Sequence, residues 1–152
     1  MVQLNDRVIE GVISVPLKVI EDDRGAVLHM LRADSQHFNG FGEVYFSQVN
    51  PGAVKGWKRH RLMTQRFAVP MGRIKIVIHD DREGSPTRGR TEEHILGRPD
   101  AYRLLIIPPM LWYGFQGLGK APSVMTNCSD IPHDPGESDQ MSLETETIPY
   151  AW

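Results

Sequence analysis

The chain has 152 residues, the length of one domain with a substantial hydrophobic core. Its 17 Lys and Arg residues against 19 Asp and Glu residues give a net charge of -2, without the strongly basic character of a general nucleic-acid-binding domain. The single cysteine excludes an internal disulfide and a cysteine-based zinc site, and no apolar run approaches the roughly 20 residues of a membrane helix.

Short strand patterns follow one another along the chain, after an N-terminal segment that lacks the pattern of a secretory signal. We therefore expect a cytoplasmic protein. In chain order, the predicted strands are GVISVPLKVI, AVLHMLR, EVYFSQV, QRFAVP, RIKIVIHD, EEHILG, YRLLIIPP and SVMTNC. Short strands about 8–12 residues apart predict an all-β protein, a jelly-roll barrel or sandwich, with one domain spanning residues 1–152.

The last segment, from about residue 134 to residue 152, reads as a polar tail that ends in the apolar anchors of IPYAW. Tails of this kind often dock on a partner subunit. This segment therefore predicts a homodimer.

A basic stretch, NPGAVKGWKRHRLMTQRFAVPMG, covers residues 50–72. Successive residues of a strand point to opposite faces, so Lys58 and His60 share one face, and Arg59 and Arg61 share the other. In a small barrel the inward face is either core or the lining of a pocket. Two interpretations stay open: a pocket that contains Lys58 and His60, or a solvated basic hairpin.

The same stretch resembles the first motif of cupins, and PPMLWY, residues 108–113, resembles the second. Metal-binding cupins take three His ligands and one Glu ligand from these motifs. One His cannot hold a metal ion tightly, so we expect neither a metal nor another cofactor. At the four ligand positions this chain has Lys58, His60, Gln65 and Tyr113.

A narrower resemblance is to the dTDP-4-dehydrorhamnose 3,5-epimerase family of metal-free cupins. Five blocks carry it in order: EDDRG, SQVN, VKGW, DDREGSPTRG and IIPPMLWYGF. A shorter branch of that family reads K-G-W-H-x-H and ends in I-P-Y-D-W, which is close to KGWKRH and IPYAW here. The resemblance implies a nucleotide-linked 4-keto-6-deoxy sugar as the ligand, within deoxysugar and polysaccharide biosynthesis.

The family inverts carbons next to a ketone by enolisation, which requires a base, a group that stabilises the enolate oxygen, and an acid on the opposite face. In the family, a His backed by an Asp is the base, a Lys and a second His assist, and a Tyr is the acid. By the resemblance these positions fall on Lys58, Gln65, Tyr113 and Thr126, so all four are changed. The Asp has no clear counterpart, and Glu144 is the nearest candidate.

The remaining polar groups predict a non-standard catalytic set of Lys58, His60 and Tyr113. A desolvated Lys can act as a base because burial disfavours its charged form, His60 is the other candidate base, and Tyr113 can donate a proton. Such a set suits one epimerisation or a ketone shift between neighbouring carbons. The alternative is a non-catalytic cupin that binds a sugar nucleotide or another anion.

The predicted substrate-binding residues follow the same resemblance. Two cations suit the diphosphate, and neighbouring amides suit the sugar or the base. A structural alternative for Arg24 is a turn paired with Asp22 or Asp23. The set comprises Arg24, Gln48, Asn50, Lys55, Gln65 and Thr126.

Overall fold

The structure, a computed structural model, describes residues 8–152 and contains twelve β-strands and one short 3-10 helix. The strands are β1 (Ile13–Pro16), β2 (Val19–Asp22), β3 (Gly25–Leu28), β4 (Glu43–Val49), β5 (Val54–His60), β6 (Gln65–Met71), β7 (Arg73–His79), β8 (Thr91–Gly97), β9 (Arg103–Ile107), β10 (Trp112–Gly117), β11 (Ser123–Ser129) and β12 (Ser138–Gln140). The 3-10 helix, η1, spans Pro135–Glu137. Within this part of the chain, no helix has the length and apolar character needed to cross a membrane.

Two five-stranded antiparallel sheets face each other. Sheet A has the order β1-β9-β6-β11-β4, and sheet B has the order β12-β5-β10-β7-β8. The pair β2–β3 forms a separate hairpin. This architecture confirms the predicted all-β jelly roll.

The main core lies between the sheets, and both sheets contribute alternate residues to it. Phe67 and Leu105 come from sheet A, and Ile74, Ile76 and Ile78 come from sheet B. Alternation along β7 places these three Ile side chains inward. Val77, on the outer face of β7, is also fully buried because a second cluster covers the outer face of sheet B.

This second cluster is built by the C-terminal segment on its own chain. Ile148 packs with Trp57 and Trp112, and Trp152 packs against the same group. Trp57 and Trp112 are both buried in this cluster, and Trp57 also borders the space between the sheets. The predicted tail is therefore a folded part of this chain, while its docking on a partner subunit stays a prediction.

The turn after β7 is organised by the buried carboxylate of Asp80. It accepts hydrogen bonds from the backbone and guanidinium of Arg82 and from the hydroxyls of Ser85 and Thr87. Burial alone would raise the pKa of Asp80, but these donors outweigh it and hold the pKa well below its ordinary value. The motif DDREGSPTRG is thus a structural turn in which Arg82 pairs with Asp80.

Candidate functional site

A cavity of about 300 Å³ opens between the two sheets. This volume is at the lower end of the range for small-molecule sites, roughly 300–1,000 Å³. Its lining combines aromatic and aliphatic side chains with a few polar groups, the composition typical of a ligand site. The lining residues are Tyr45, Ser47, Lys55, Gly56, Trp57, Lys58, Phe67, Tyr113, Phe115, Met125 and Gln140.

Strand β5 supplies the basic side of the cavity. Lys58 lines the cavity and lies directly opposite Tyr113 of β10, so both side chains share the inner face of sheet B. Arg59 lies on the other face, with its guanidinium 4.6 Å from the centre of the Trp112 ring and hydrogen-bonded to Asp139. The side chains alternate as predicted, but the outer face is packed rather than solvated.

His60 is buried next to the cavity and has partners on both ring nitrogens. Its Nδ1 is hydrogen-bonded to Oε1 of Glu137, and its Nε2 lies 3.1 Å from the hydroxyl oxygen of Tyr113. Tyr113 lines the cavity, whereas His60 and Glu137 lie behind it. The three side chains form a continuous buried relay that ends at the cavity wall.

The partners fix where the protons of this relay reside. Burial alone would raise the pKa of Glu137, but the hydrogen bonds from His60 and from the N–H groups of Leu62 and Met63 outweigh it and lower the pKa. Desolvation lowers the pKa of His60 despite the neighbouring carboxylate. A neutral imidazole that donates from Nδ1 to an ionised Glu137 has an unprotonated Nε2, so Tyr113 donates its hydroxyl proton to His60.

Desolvation also raises the pKa of Tyr113 far above its ordinary value. The hydroxyl is therefore protonated at rest. It transfers its proton only in concert with another proton transfer, because an isolated phenolate at this depth is strongly disfavoured.

The side chain of Lys58 has no hydrogen bond or ion pair with any residue that the structure describes, residues 8–152. Lys55 differs, since its Nζ donates to the backbone carbonyl of Gln48 at 2.8 Å. The Gln48 amide in turn donates to Oδ1 of Asn50 at 3.2 Å. Three of the predicted substrate-binding residues therefore meet at one place beside the cavity.

Arg24 lies elsewhere, in the turn of the β2–β3 hairpin. Its guanidinium is 2.6 Å from Asp22, and its side chain is 87% exposed. This is the turn pairing described above as the structural alternative. Within the described chain, the fold does not bring Arg24 to the cavity that Lys58 lines.

Gln65 and Thr126 also lie outside the cavity lining. Gln65 is fully buried and accepts a hydrogen bond from Asn127. Thr126 alternates with Met125 and Asn127, whose side chains point inward, so Thr126 lies on the outer face of sheet A. From these positions, neither side chain is expected to contact a ligand in the cavity directly.

Sequence reasoning missed the carboxylate behind His60. Glu144, the nearest candidate for a carboxylate behind the base position at Lys58, is exposed, whereas Glu137 is hydrogen-bonded to His60. Glu137 ends the helix η1, capped by Asp134, in the segment interpreted as a tail. Its position depends on a contact between residues far apart in sequence, and no local pattern reveals such a contact.

Tyr45 was also missed, although a signal for it existed. In EVYFSQV, Tyr45, Ser47 and Val49 share the inward face, and Val49 is fully buried in the core. Tyr45 therefore belongs to the cavity wall on sheet A by the same alternation that placed Lys58.

Metal-ligating side chains do not cluster here: in residues 8–152, no group of three or more His, Cys, Asp and Glu side chains is placed to hold a metal ion.

Comparison with known proteins gives consistent matches over nearly the whole chain. The profile of the family described as dTDP-4-dehydrorhamnose 3,5-epimerase matches residues 6–152. Among solved structures, a dTDP sugar isomerase from Desulfovibrio desulfuricans is 53% identical, with a TM-score of 0.93 over 95% of this chain and 92% of that chain.

Two further relatives match at lower identity. A probable low-salt glycan biosynthesis epimerase of Haloferax volcanii is 34% identical over 136 residues, covering 88% of this chain and 83% of the relative. The spore coat polysaccharide biosynthesis protein SpsL of Bacillus subtilis is 30% identical over 146 residues, covering 95% and 96%.

Proposed function

The chain belongs to the dTDP-4-dehydrorhamnose 3,5-epimerase family, and from this premise we propose that it epimerises a dTDP-linked 4-keto-6-deoxy sugar. The reaction proceeds by enolisation next to the ketone, with an acid/base set different from the family's. Relatives named for glycan and spore coat polysaccharide biosynthesis support a role in supplying a deoxysugar for a polysaccharide. The observation that carries the proposal is the buried relay of Glu137, His60 and Tyr113 at the wall of the cavity.

Tyr113 takes the proton from the sugar, and His60 acts through it. As the C–H bond breaks, the oxygen of Tyr113 accepts the carbon-bound proton and passes its own proton to Nε2 of His60. The imidazolium that forms is stabilised by Glu137, as a carboxylate stabilises the imidazolium of a Ser-His-Asp triad. This concerted transfer avoids the isolated phenolate that burial of Tyr113 disfavours.

Lys58 stabilises the enolate that remains. Its ammonium group faces the cavity on the same side of sheet B as Tyr113. A cation placed where negative charge develops, in a site that excludes water, lowers the barrier more than it would in water. In this role Lys58 transfers no proton. The alternative, Lys58 as the base, is distinguished by the test below.

The nucleotide lies toward the cavity mouth in this proposal. The cavity is small, so the sugar occupies it and the diphosphate reaches Lys55, with Gln48 and Asn50 beside it. Arg24, which is exposed on its hairpin, contributes to the diphosphate site only through a rearrangement or a second subunit. Gln65 supports the cavity wall from behind, and Thr126 contributes to substrate binding only indirectly.

A homodimer is part of the proposal. On the outer face of sheet A, Phe46 is 69% exposed and Val44 is 48% exposed, and Phe41 nearby in sequence is 67% exposed. Exposed apolar groups of this size are typical of association surfaces. Light scattering after size exclusion measures the mass directly, and Phe46→Asp is expected to yield a monomer.

Proton NMR of dTDP-4-keto-6-deoxyglucose incubated with the protein in D2O tests the proposed function. We expect the signal of a hydrogen next to the ketone to disappear, together with new couplings from the inverted sugar. The variant Tyr113→Phe is expected to abolish the exchange. If exchange survives in Tyr113→Phe and is lost in Lys58→Met, Lys58 is the base. If the wild-type protein binds the sugar nucleotide without any exchange, the barrel is a binding site and the enzymatic proposal fails.

A further inference from the structure

Tyr45 places a second phenol in the cavity, on the wall opposite Tyr113. Tyr113 belongs to β10 of sheet B, and Tyr45 belongs to β4 of sheet A, so the two phenols line the cavity from opposite sheets. Inversion of a carbon requires that the proton leave from one face and arrive at the other. We propose that Tyr45 is the catalytic acid that delivers the new proton, an inference that rests on the proposed epimerase function.

The hydrogen bonds around Tyr45 leave its proton free for this role. Oδ1 of Asn127 accepts the backbone N–H of Arg66 at 3.0 Å, so the amide nitrogen of Asn127 must point the other way. That nitrogen donates to Oε1 of Gln65 and, at 2.9 Å, to the hydroxyl oxygen of Tyr45. Because the oxygen of Tyr45 accepts this bond, its own hydrogen is available to another acceptor.

No such acceptor is present for Tyr45 among residues 8–152, and the side chain lines the cavity. An oxygen or carbon of a bound sugar is therefore the natural recipient of its proton. The arrangement differs from that of Tyr113, whose hydroxyl proton is already directed at His60. The two phenols are thus prepared for opposite tasks, one to accept a proton and one to donate.

The amide behind Tyr45 also stabilises the product of proton donation. When Tyr45 gives its proton to the enolate carbon, a phenolate remains, and the N–H of Asn127 already points at the oxygen that carries the charge. Burial raises the pKa of Tyr45, and the hydrogen bond from Asn127 opposes this rise because it favours the charged form. The burial of Asn127 and Gln65 keeps this donor fixed.

The protons balance over one turnover. The substrate loses one proton through Tyr113 to His60 and gains one proton from Tyr45, so the sugar is inverted with no net change in composition. Water returns a proton to Tyr45, and the His60 imidazolium releases its proton through Tyr113. No oxidant, reductant or further reactant takes part.

The variant Tyr45→Phe separates removal of the proton from inversion. In D2O with dTDP-4-keto-6-deoxyglucose, the wild-type protein is expected to give deuterated, inverted sugar. Tyr45→Phe is expected to keep deuterium incorporation and to lose inversion by about 10²–10⁴-fold, the size of a general-acid contribution. Deuterium then enters only from the Tyr113 side, with retention. Tyr45→His, which keeps a proton donor at this place, is expected to restore part of the inversion.

The matched control is Tyr102→Phe, which removes a buried hydroxyl bonded to the backbone of His29 and remote from the cavity lining. It is expected to leave both readouts unchanged. Inversion by Tyr45→Phe at the wild-type rate would overturn the proposal, as would wild-type exchange without any inversion. Absence of exchange in the wild-type protein is a different result, since it removes the proposed function itself.

Discussion

Glu137 and His60 are 77 residues apart in the sequence and form a buried hydrogen-bonded pair behind the cavity. The same carboxylate also accepts the N–H groups of Leu62 and Met63. One side chain therefore fixes both the proton position on His60 and the turn that follows β5.

The variant Glu137→Gln tests this pair. The Gln carbonyl can keep the bonds to the turn, and its amide then donates to Nδ1 of His60, which moves the imidazole proton to Nε2. Tyr113 can no longer pass its proton to His60, so we expect deuterium exchange to fall about 10²–10⁴-fold. Exchange is measured by NMR and folding by circular dichroism. A folded Glu137→Gln protein with wild-type exchange would show that the relay is not used.

The pH dependence of exchange follows from the state of His60. Because desolvation lowers the pKa of His60 below its ordinary value of about 6.5, the imidazole stays neutral and able to accept a proton throughout the neutral range. We expect the exchange rate to be constant from pH 7.5 to about 6.5 and to fall only at lower pH. Initial rates in buffers from pH 4.5 to 8 check this, and an acidic limb centred above the ordinary His value would contradict it.

Lys58 and Arg59 are neighbours in sequence with opposite expected effects. Lys58→Ala removes the cation that faces the enolate, and we expect exchange to fall about 10²–10³-fold with little change in thermal stability. Arg59→Ala removes the contacts with Trp112 and Asp139, and we expect a loss of about 1–3 kcal/mol in the free energy of unfolding. Urea titration and exchange rates are measured on both variants. Equal losses of exchange in the two folded variants would contradict the alternation on β5.

Asp80 is expected to be a major source of stability that is independent of the reaction. Asp80→Asn leaves Arg82 without its ionic partner and costs about 3–5 kcal/mol, measured by urea unfolding. The lowered pKa means that the unfolded chain binds more protons than the native chain in acid, so stability falls as the pH drops below about 4. In Asp80→Asn the loss of stability at acid pH is expected to be smaller. If the free energy of unfolding depends on pH as in the wild-type protein, Asp80 is not the source of the acid sensitivity.

Gly114 makes room for the last residue of the chain. A Cβ at Gly114 would lie 2.7 Å from the ring of Trp152, so Gly114→Ala forces the ring to move and costs about 1–3 kcal/mol. The cost is expected to be smaller in a Trp152→Ala background, since the contact with the ring is then absent and only the 3.2 Å approach to the carbonyl oxygen of Lys55 remains. Urea unfolding of the wild-type protein, the two single variants and the double variant completes a double-mutant cycle. If Gly114→Ala lowers the free energy of unfolding as much in the Trp152→Ala background as in the wild-type protein, the strain lies elsewhere.

The strands with strong alternation were predictable, and the rest depended on long-range contacts. EVYFSQV coincides with β4, because its inward and outward residues differ clearly in polarity. The strand β10 was noticed only as a motif, since its mixture of aromatic residues and glycines lacks a period of two. The strand β12 is short and polar, as edge strands often are, and was therefore interpreted as a tail.

The candidate site shows the same division. The shared face of Lys58 and His60 and the nearness of Tyr113 followed from strand geometry and motif order. The carboxylate of Glu137 did not, because its place is set by the pairing of β12 with β5. Local patterns carry no information about which distant segment completes a sheet edge.

The strand β12 has a consequence for the time at which the protein becomes competent during its synthesis. The chain emerges from the ribosome N-terminus first. Glu137 and β12 therefore emerge after the eleven other strands that the structure describes, when both sheets can already begin to assemble. Until the backbone of Met141 pairs with Trp57, His60 lacks its carboxylate and the cavity lacks Gln140. A chain that stalls before residue 137 therefore contains most of the barrel strands but not the proton relay.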